Sequence, residues 1–179
     1  DGTTYTLTTG IDTFTGTAAD DTFNAGDVAA STTWTVGDTL NGGGGSDTLN
    51  ITSSSAVTNP VGSTVTDIDT VNVISGADAN VFSTATGFSG TTALNVTGIE
   101  NQTVTAAGTT AVTVTETGLA TGDTVTANGG AAVTVNSTGA GDTVDGATGG
   151  TITVGATTAA TGAVSITATD TDRKSTRLN

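Results

Sequence analysis

The sequence of 179 residues contains no cysteine, no histidine and no methionine, and only one proline, one tryptophan and one tyrosine. Without cysteine there can be no disulfide and no zinc–thiolate site. Without histidine, the side chain that most often serves as a general base near neutral pH is missing. Four phenylalanines complete the aromatic residues, too few for a thick globular core. A thin core of valine, isoleucine, leucine and alanine, as in a solenoid, fits this composition better.

Basic residues are missing from almost the whole chain. Arg173, Lys174 and Arg177 are the only three, whereas 17 acidic residues give a net charge of −14. A body without lysine or arginine cannot neutralise phosphates, which excludes nucleic acid as a partner. Its carboxylates have no basic partner in cis, so they repel one another unless cations screen or bind them. A merely soluble acidic surface is the alternative explanation of this charge.

Long apolar runs are also missing, so the sequence predicts no membrane span and shows no signal peptide. The chain begins at Asp1 inside a repeat-like segment, and we expect it to be a fragment of a larger protein. Residues 171–179 break with the preceding pattern, since they contain all the basic residues and no alternation. They resemble translated sequencing-adaptor read-through and are left out of the functional reasoning.

One glycine-rich stretch, residues 42–50, carries the most specific motif. It reads Gly-Gly-Gly-Gly-Ser-Asp-Thr-Leu-Asn and matches the nonapeptide G-G-x-G-x-D-x-U-x, in which U is apolar, at every fixed position. Asp38 and Leu40 lie nine residues before Asp47 and Leu49, so the unit occurs twice in tandem. Glycines permit a turn with positive φ, and carbonyl and carboxylate oxygens are the ligands that Ca²⁺ prefers. The stretch resembles the haemolysin-type calcium-binding repeats of the RTX family, in which stacked turns form a parallel β-roll with calcium between them.

The motif predicts a Ca²⁺ site at Asp47, together with the turn formed by Gly42, Gly43 and Gly45. Further candidate ligands lie at the equivalent positions of the neighbouring repeats, Asp38, Asp21 and Asp12. A flexible glycine turn without a metal is the alternative. Three later aspartates lack the glycines before them, and we expect them to cap turns by accepting a backbone N–H; they are Asp69, Asp123 and Asp142.

Triplets of aspartate, threonine and an apolar residue recur along the chain. Seven copies begin at Asp12, Asp21, Asp38, Asp47, Asp69, Asp123 and Asp142. Alternating runs such as residues 111–115, Ala-Val-Thr-Val-Thr, are typical of half-buried strands, and glycine-rich turns separate them. The sequence therefore predicts an all-β fold, a parallel β-roll or β-helix solenoid with about 20 residues and two short strands per coil. A seven-stranded sandwich is the alternative, because its strands have similar spacing.

Apolar residues in the second half recur at nearly constant spacing. Val112, Val133 and Ile152 follow one another at almost equal intervals, and we expect them to form one inward column in the coils of residues 92–166. A second series interleaves with this one and consists of Val104, Val125, Val144 and Val164. Threonines repeat at the same spacing, at Thr113, Thr134 and Thr153. They favour a solvent-facing β surface, and a flat array of the kind that ice-binding solenoids use is the alternative.

We divide the chain into an RTX-like calcium-binding β-roll segment at residues 1–50, a solenoid rich in threonine and glycine at residues 51–170, and the tail at residues 171–179. Within the first segment, Gly26 to Val36 interrupts the repeats and contains Trp34, which predicts a longer loop.

Catalysis finds no support, since the acids are spread along a repeat and no base is available to activate a hydroxyl. The composition resembles that of bacterial surface-layer proteins with RTX-type repeats. That resemblance implies an extracellular structural protein secreted by the type I route, with subunits that self-associate into a surface lattice under calcium control. A cell-surface polysaccharide is a further candidate partner. The alternatives are a calcium-independent adhesin stalk and a solenoid that binds ice or glycans.

Overall fold

The computed structural model describes residues 1–139 and 150–170, and within these ranges the chain forms β-strands and no helix. Strands are numbered along the chain. Sheet 1 contains eight of them, β1 (Thr4–Thr6), β3 (Thr22–Ala25), β7 (Thr48–Ser53), β9 (Thr70–Ser75), β12 (Ala93–Ile99), β14 (Ala111–Thr117), β16 (Ala132–Gly139) and β18 (Val164–Asp170). Sheet 2 consists of β2 (Thr13–Thr15), β6 (Thr39–Asn41), β8 (Thr64–Thr66) and β11 (Phe88–Ser89). Sheet 3 consists of β10 (Asn80–Ser83), β13 (Gln102–Ala106), β15 (Thr124–Gly129) and β17 (Thr151–Val154).

Successive coils stack in parallel, which confirms the predicted β-solenoid. Neighbouring strands in sheets 1, 2 and 3 pair in parallel, and sheet 1 continues in register from β1 to β18. Most coils contribute one strand to sheet 1 and one to sheet 2 or sheet 3, so the expectation of two short strands per coil is also correct. There are about six turns of roughly 23 residues each, somewhat longer than the spacing of the apolar residues predicted.

The alternating sequence explains which side of each strand faces inward. In β14 the side chains of Val112 and Val114 are buried, whereas those of Thr113 and Thr115 are half-buried on the outside. Successive residues of a strand point to opposite faces, so the apolar half forms one thin core that runs the length of the stack. The threonine half covers the outside.

The predicted column of Val112, Val133 and Ile152 is correct for the first two residues and wrong for the third. Val112 pairs with Val133 in sheet 1 as predicted, but the next member of that column is Val164 and not Ile152. Ile152 lies in sheet 3, where it pairs with Val125. Coil length varies along the stack, and the coil that leads from Val133 to Val164 is much longer than the one from Val112 to Val133. The assumption of a constant spacing therefore placed Ile152, which follows β16, in the wrong sheet.

Two further expectations also fail, because coil length varies along the stack. Thr113 pairs with Thr134, but Thr153 pairs with Thr126 in sheet 3. Of the interleaved series, Val104 and Val125 both lie in sheet 3 but are offset by two residues, since Gln102 is the partner of Val125 and Ala127 that of Val104. Val164 belongs to sheet 1, and Val144, like Asp142, lies outside the described residues.

The insertion after β3 is ordered into a hairpin and not a simple loop. Strands β4 (Asp27–Val28) and β5 (Ser31–Thr32) pair antiparallel. Ala29 and Ala30 between them have φ values of 50° and 65°, which is the conformation of a type I′ turn. The side chain of Trp34, at the end of the insertion, is buried, and its ring centroid lies 6.4 Å from that of Phe88. The insertion therefore contributes to the core.

The predicted boundary at residue 50 leaves no break in sheet 1, because β7 spans it and pairs with both β3 and β9. The tail at residues 171–179 lies outside the described residues. In the described part of the chain no helix is long and apolar enough to cross a lipid bilayer.

Candidate metal site

Each candidate aspartate directly precedes a strand and is buried within the turn before it. Asp12 and Asp38 come before β2 and β6 of sheet 2, and Asp21 and Asp47 come before β3 and β7 of sheet 1. The exposed fraction is 8% for Asp12 and at most 1% for the other three. Burial of this many carboxylates is costly unless each is hydrogen-bonded or paired with a cation, so their partners decide what they do.

In three of these four aspartates, and also in Asp69, one carboxylate oxygen accepts a backbone N–H from the neighbouring coil. Asp69 Oδ2 accepts the backbone N–H of Asp47 at 2.9 Å, and Asp47 Oδ1 accepts that of Asp21 at 2.7 Å. In the same way Asp21 Oδ1 accepts the N–H of Thr3. On the other side of the coil Asp38 Oδ1 accepts the N–H of Asp12 at 2.9 Å. The repeated aspartate therefore has a structural role in the coils near the amino terminus, where the triplet is most frequent.

The second oxygen closes the turn before the strand. The backbone N–H of Thr8 donates to Asp12 Oδ2, that of Thr17 to Asp21 Oδ2 and that of Thr35 to Asp38 Oδ2. The amides of Thr17 and Thr3 lower the pKa of Asp21 below its ordinary value, against a smaller opposing effect of burial. Hydrogen bonds from the protein thus account for the carboxylates of Asp12, Asp21 and Asp38.

Two of the later triplet aspartates also accept backbone amides. Ala120 N–H donates to Asp123 Oδ2 at 2.9 Å, which confirms the expectation that Asp123 caps its turn. Asp69 accepts the amide of Asp47, which lies in the neighbouring coil and not in its own turn.

Asp47 differs from the other three candidates in one oxygen. Four residues before it stands Gly43, whose N–H donates to Asn41 Oδ1 at 2.8 Å and not to the aspartate. Asp47 Oδ2 is buried and has no hydrogen-bond partner among the described residues. Burial raises the pKa of Asp47, the amide of Asp21 opposes this, and the carboxylates of Asp21, Asp69 and Asp20 raise it further. Asp47 is thus a buried acid with a free oxygen and with acidic neighbours.

The glycines of the motif explain how this oxygen comes to be enclosed. A Cβ on Gly42 would overlap both the carbonyl oxygen of Asp67 in the next coil and Asp47 Oδ2. Both oxygens therefore lie on the side of Gly42 where a side chain would stand. Gly43 and Gly45 have φ values of 90° and 111°, in the region that favours glycine, and a Cβ on Gly43 would overlap the carbonyl of Thr17. The glycine pattern thus reflects close contact between coils as well as turn geometry.

The structure does not gather the predicted ligands into a cluster of carboxylates. Among residues 1–139 and 150–170, no three acidic side chains are placed so that they could hold one metal ion. What remains is a pair of oxygens, the Asp47 carboxylate and the Asp67 carbonyl, at the glycine turn that the sequence singled out. Asp67, with a φ of 52°, was not among the predicted ligands, because nothing in its sequence distinguishes its carbonyl.

The chemistry that this arrangement offers is electrostatic, since it combines a buried carboxylate oxygen with a backbone carbonyl oxygen. No protein-family model matches the chain, and no curated protein matches it either. The function must therefore be inferred from the motif and from the geometry of its residues.

A second group of buried polar side chains was not predicted. Glu116 and Gln102 are fully buried, and the Oε1 atom of each has no hydrogen-bond partner among the described residues. Ser137 Oγ donates to Glu116 Oε2, and Gln102 Nε2 donates to the carbonyl of Ile99 at 2.7 Å. The alternation in β14 placed Glu116 on the inward face, and this is the signal by which it could have been found.

Burial raises the pKa of Glu116 above its ordinary value of 4.5. The Ser137 hydroxyl and the amides of Glu100 and Leu119 act against this increase, and the Asp123 carboxylate adds to it. Neither amide is hydrogen-bonded to Oε1. A raised pKa in the folded state means that the folded protein holds this proton more tightly than the unfolded chain does. Its contribution to stability is therefore fully present below pH 4.5 and is lost as the pH rises through the folded-state pKa.

We expect Glu116→Gln to stabilise the protein above neutral pH, because glutamine keeps an acceptor for Ser137 and carries no charge. The gain in the free energy of unfolding at pH 8 should be about 1–3 kcal/mol, because the folded protein no longer buries a charged group. The gain should shrink toward pH 4, where Glu116 is neutral in the wild type. Urea unfolding of both proteins across this pH range measures the difference, and a difference that does not vary with pH would contradict the assignment.

Proposed function

We propose that this chain is a non-enzymatic structural segment of an extracellular surface protein, in which calcium stabilises the coils around Asp47. The observation that carries the calcium part is the buried, unpartnered Oδ2 of Asp47 at the motif's glycine turn. The observation that supports the structural part is the continuous stack of coils, in which one apolar core runs along a sheet of eight strands.

Electrostatics favours a cation at Asp47. Asp20, Asp21 and Asp69 act on it as like charges, and the first 172 residues contain no lysine or arginine to offset them. A divalent cation would supply positive charge to these carboxylates, and carbonyl and carboxylate oxygens are the ligands it selects. Asp47 Oδ2 and the Asp67 carbonyl are the groups of this chain that would hold it. The proposal rests on Asp47, because hydrogen bonds already account for Asp12, Asp21 and Asp38.

The extracellular part of the proposal rests on composition and on the resemblance of residues 42–50 to the RTX repeats. A chain free of cysteine, with an acidic body, suits a medium that contains millimolar calcium. Lateral association into a surface lattice and attachment to a surface polysaccharide belong to the same proposal. A calcium-independent adhesin stalk is the second candidate, and the aspartate hydrogen bonds between coils favour it, since they join the coils without a metal.

Calcium should raise the melting temperature of the wild type, and Asp47→Asn should remove that increase. Extracellular calcium modules bind at roughly 10⁻⁴ to 10⁻³ M, and free calcium at ten times the dissociation constant stabilises the folded state by about 1.4 kcal/mol per site. Asparagine keeps an oxygen for the Asp21 amide and removes the charge that attracts the ion. Thermal melts followed by circular dichroism, in millimolar calcium and in chelator, measure the effect.

Asp38→Asn is the matched control, because both oxygens of Asp38 accept backbone amides. We expect this variant to be less stable than the wild type in both buffers and to keep the calcium-dependent increase. If the wild type melts at the same temperature with calcium and with chelator, the calcium part of the proposal is wrong and the adhesin stalk is favoured.

A further inference from the structure

The outer face of sheet 1 carries an unbroken column of small polar side chains. One residue from each of its eight strands contributes, in the register of the parallel pairing, and every one is threonine, asparagine or serine. From β1 to β18 they are Thr6, Asn24, Asn50, Asn72, Asn95, Thr113, Thr134 and Ser165. All are half-buried or exposed, so the column forms part of the surface.

Parallel columns on either side make this surface an array in two dimensions. The column two residues earlier begins with threonines and continues with alanines: Thr4, Thr22, Thr48, Thr70, Ala93, Ala111 and Ala132. The column two residues later is threonine or asparagine except at one isoleucine: Thr52, Ile74, Thr97, Thr115, Asn136 and Thr167. Neighbouring positions are about 4.8 Å apart across the strands and roughly 6.6 Å apart along them.

Half of the central column is held rigid by a ladder of amide hydrogen bonds. Asn50 Nδ2 donates to Asn24 Oδ1, Asn72 Nδ2 to Asn50 Oδ1, and Asn95 Nδ2 to Asn72 Oδ1, each at 2.9 Å. Side-chain ladders of this kind stabilise flat sheets of many strands. Each amide of the ladder therefore has a fixed position, and the ladder repeats at the spacing of the strands.

The chemistry of this face excludes most kinds of partner. None of its three columns contains an acidic or basic side chain, so a charged ligand would find no ion pair. All six aromatic rings of the chain lie within the core or against it, so no ring is available on which a sugar could stack. The face offers hydroxyls, amides and methyl groups, repeated at fixed intervals in two directions. A partner that matches it must be neutral, rich in hydrogen-bond donors and acceptors, and ordered in two dimensions.

We propose that this face binds ice, the crystalline form of water. Ordered water supplies a neutral hydrogen-bonding surface that repeats in both directions, which is what the columns present. This function goes beyond the calcium-stabilised structural role and does not depend on it, because the columns are held by the sheet and by the asparagine ladder. The sequence predicted a threonine array of Thr113, Thr134 and Thr153. Thr153 lies in sheet 3, and the array in sheet 1 contains asparagines as well as threonines.

The test is retention of the protein in slowly growing ice, with Thr115→Tyr as the disrupting variant. Thr115 is half-buried on β14 near the middle of the array, and a tyrosine there would hold a flat crystal away from the neighbouring columns. Thr126→Tyr on β15 is the matched control, since Thr126 is half-buried on the outer face of the smaller sheet 3. Melting temperatures of both variants establish that each is folded.

We expect the wild type and Thr126→Tyr to enter the ice fraction. The fraction of Thr115→Tyr found in the ice should be about tenfold lower, which corresponds to a tenfold loss of affinity. Thr97→Tyr, on β12 of the same column, should show the same loss if Thr115→Tyr does not fold. Exclusion of the wild type from ice would overturn the proposal, as would equal retention of the variants from the two sheets.

Two further measurements test other partners of this face. Sedimentation of the wild type detects self-association, and pull-down with insoluble cellulose or chitin detects binding to a polysaccharide. A dimer disrupted by Thr115→Tyr, or binding to the polysaccharide without binding to ice, would also overturn the proposal. Melting and retention in ice are each measured in calcium and in chelator. The absence of a calcium effect on the melting temperature is then distinguished from the absence of binding to ice.

Discussion

Val133→Asp should lower the free energy of unfolding by roughly 3–5 kcal/mol, the range of severe core substitutions. Val133 is 1% exposed on β16, the last strand but one of sheet 1, where it pairs with Val112 on one side and Val164 on the other. The core is thin and apolar at this position. An aspartate there would lose its hydration without gaining a partner. Urea unfolding monitored by circular dichroism would measure the change.

The adjacent residue provides the control for this prediction. Thr134 follows Val133 on the same strand but is half-buried on the outer face, so Thr134→Asp keeps its carboxylate in contact with water. We expect a cost below about 1 kcal/mol, in keeping with surface substitutions. If both variants lose the same stability, or if Val133→Asp melts like the wild type, then Val133 does not face the core and the register of sheet 1 is wrong.

The fold class could be predicted from the sequence because its two signals are local. Alternation of apolar residues and threonine marks each strand, and the aspartate triplets mark the turns that precede several of them. The vertical order of the strands is not a local property. The pairing of Val112 with Val133 was predictable because β14 and β16 are joined by a coil of ordinary length. The following coil, which ends at Val164, is much longer, and spacing alone could not tell whether Ile152 belongs to sheet 1 or to sheet 3.

The candidate site shows the same division between local and non-local information. The positions of Asp12, Asp21, Asp38 and Asp47 before strands follow from the triplets. What each carboxylate binds depends on the coil beside it and on the residue that precedes it by three or four positions. Threonine at that place donates its amide to the aspartate, whereas Gly43 donates its amide to Asn41 and leaves Asp47 Oδ2 free. The motif records glycine at position 43 but not the acceptor of its amide, because that depends on how the turn folds.

Gly42→Ala should cost on the order of 3 kcal/mol, at the upper end of overpacking effects, and the loss should be the same in calcium-free buffer. Gly42 is one of the motif glycines without a positive φ, so the cost comes from overlap and not from backbone conformation. A methyl group there would collide with the Asp67 carbonyl and with Asp47 Oδ2. Because the first of these is backbone of the next coil, the collision is relieved only if the two coils move apart. Urea unfolding in chelator measures this packing term without any contribution from bound metal.

Gly44→Ala, two residues away in the same turn, is the matched control. Its Cβ would lie 3.7 Å from the nearest atom, the α-carbon of Ala18, and its φ is not positive. Alanine at a position it can adopt without strain stabilises a protein by about 0.4–1 kcal/mol, because it restricts the unfolded chain. We therefore expect opposite signs for the two substitutions. Equal and small effects would mean that residues 42–45 form a flexible turn, and that neither the close contact of the coils nor the enclosure of Asp47 Oδ2 exists in solution.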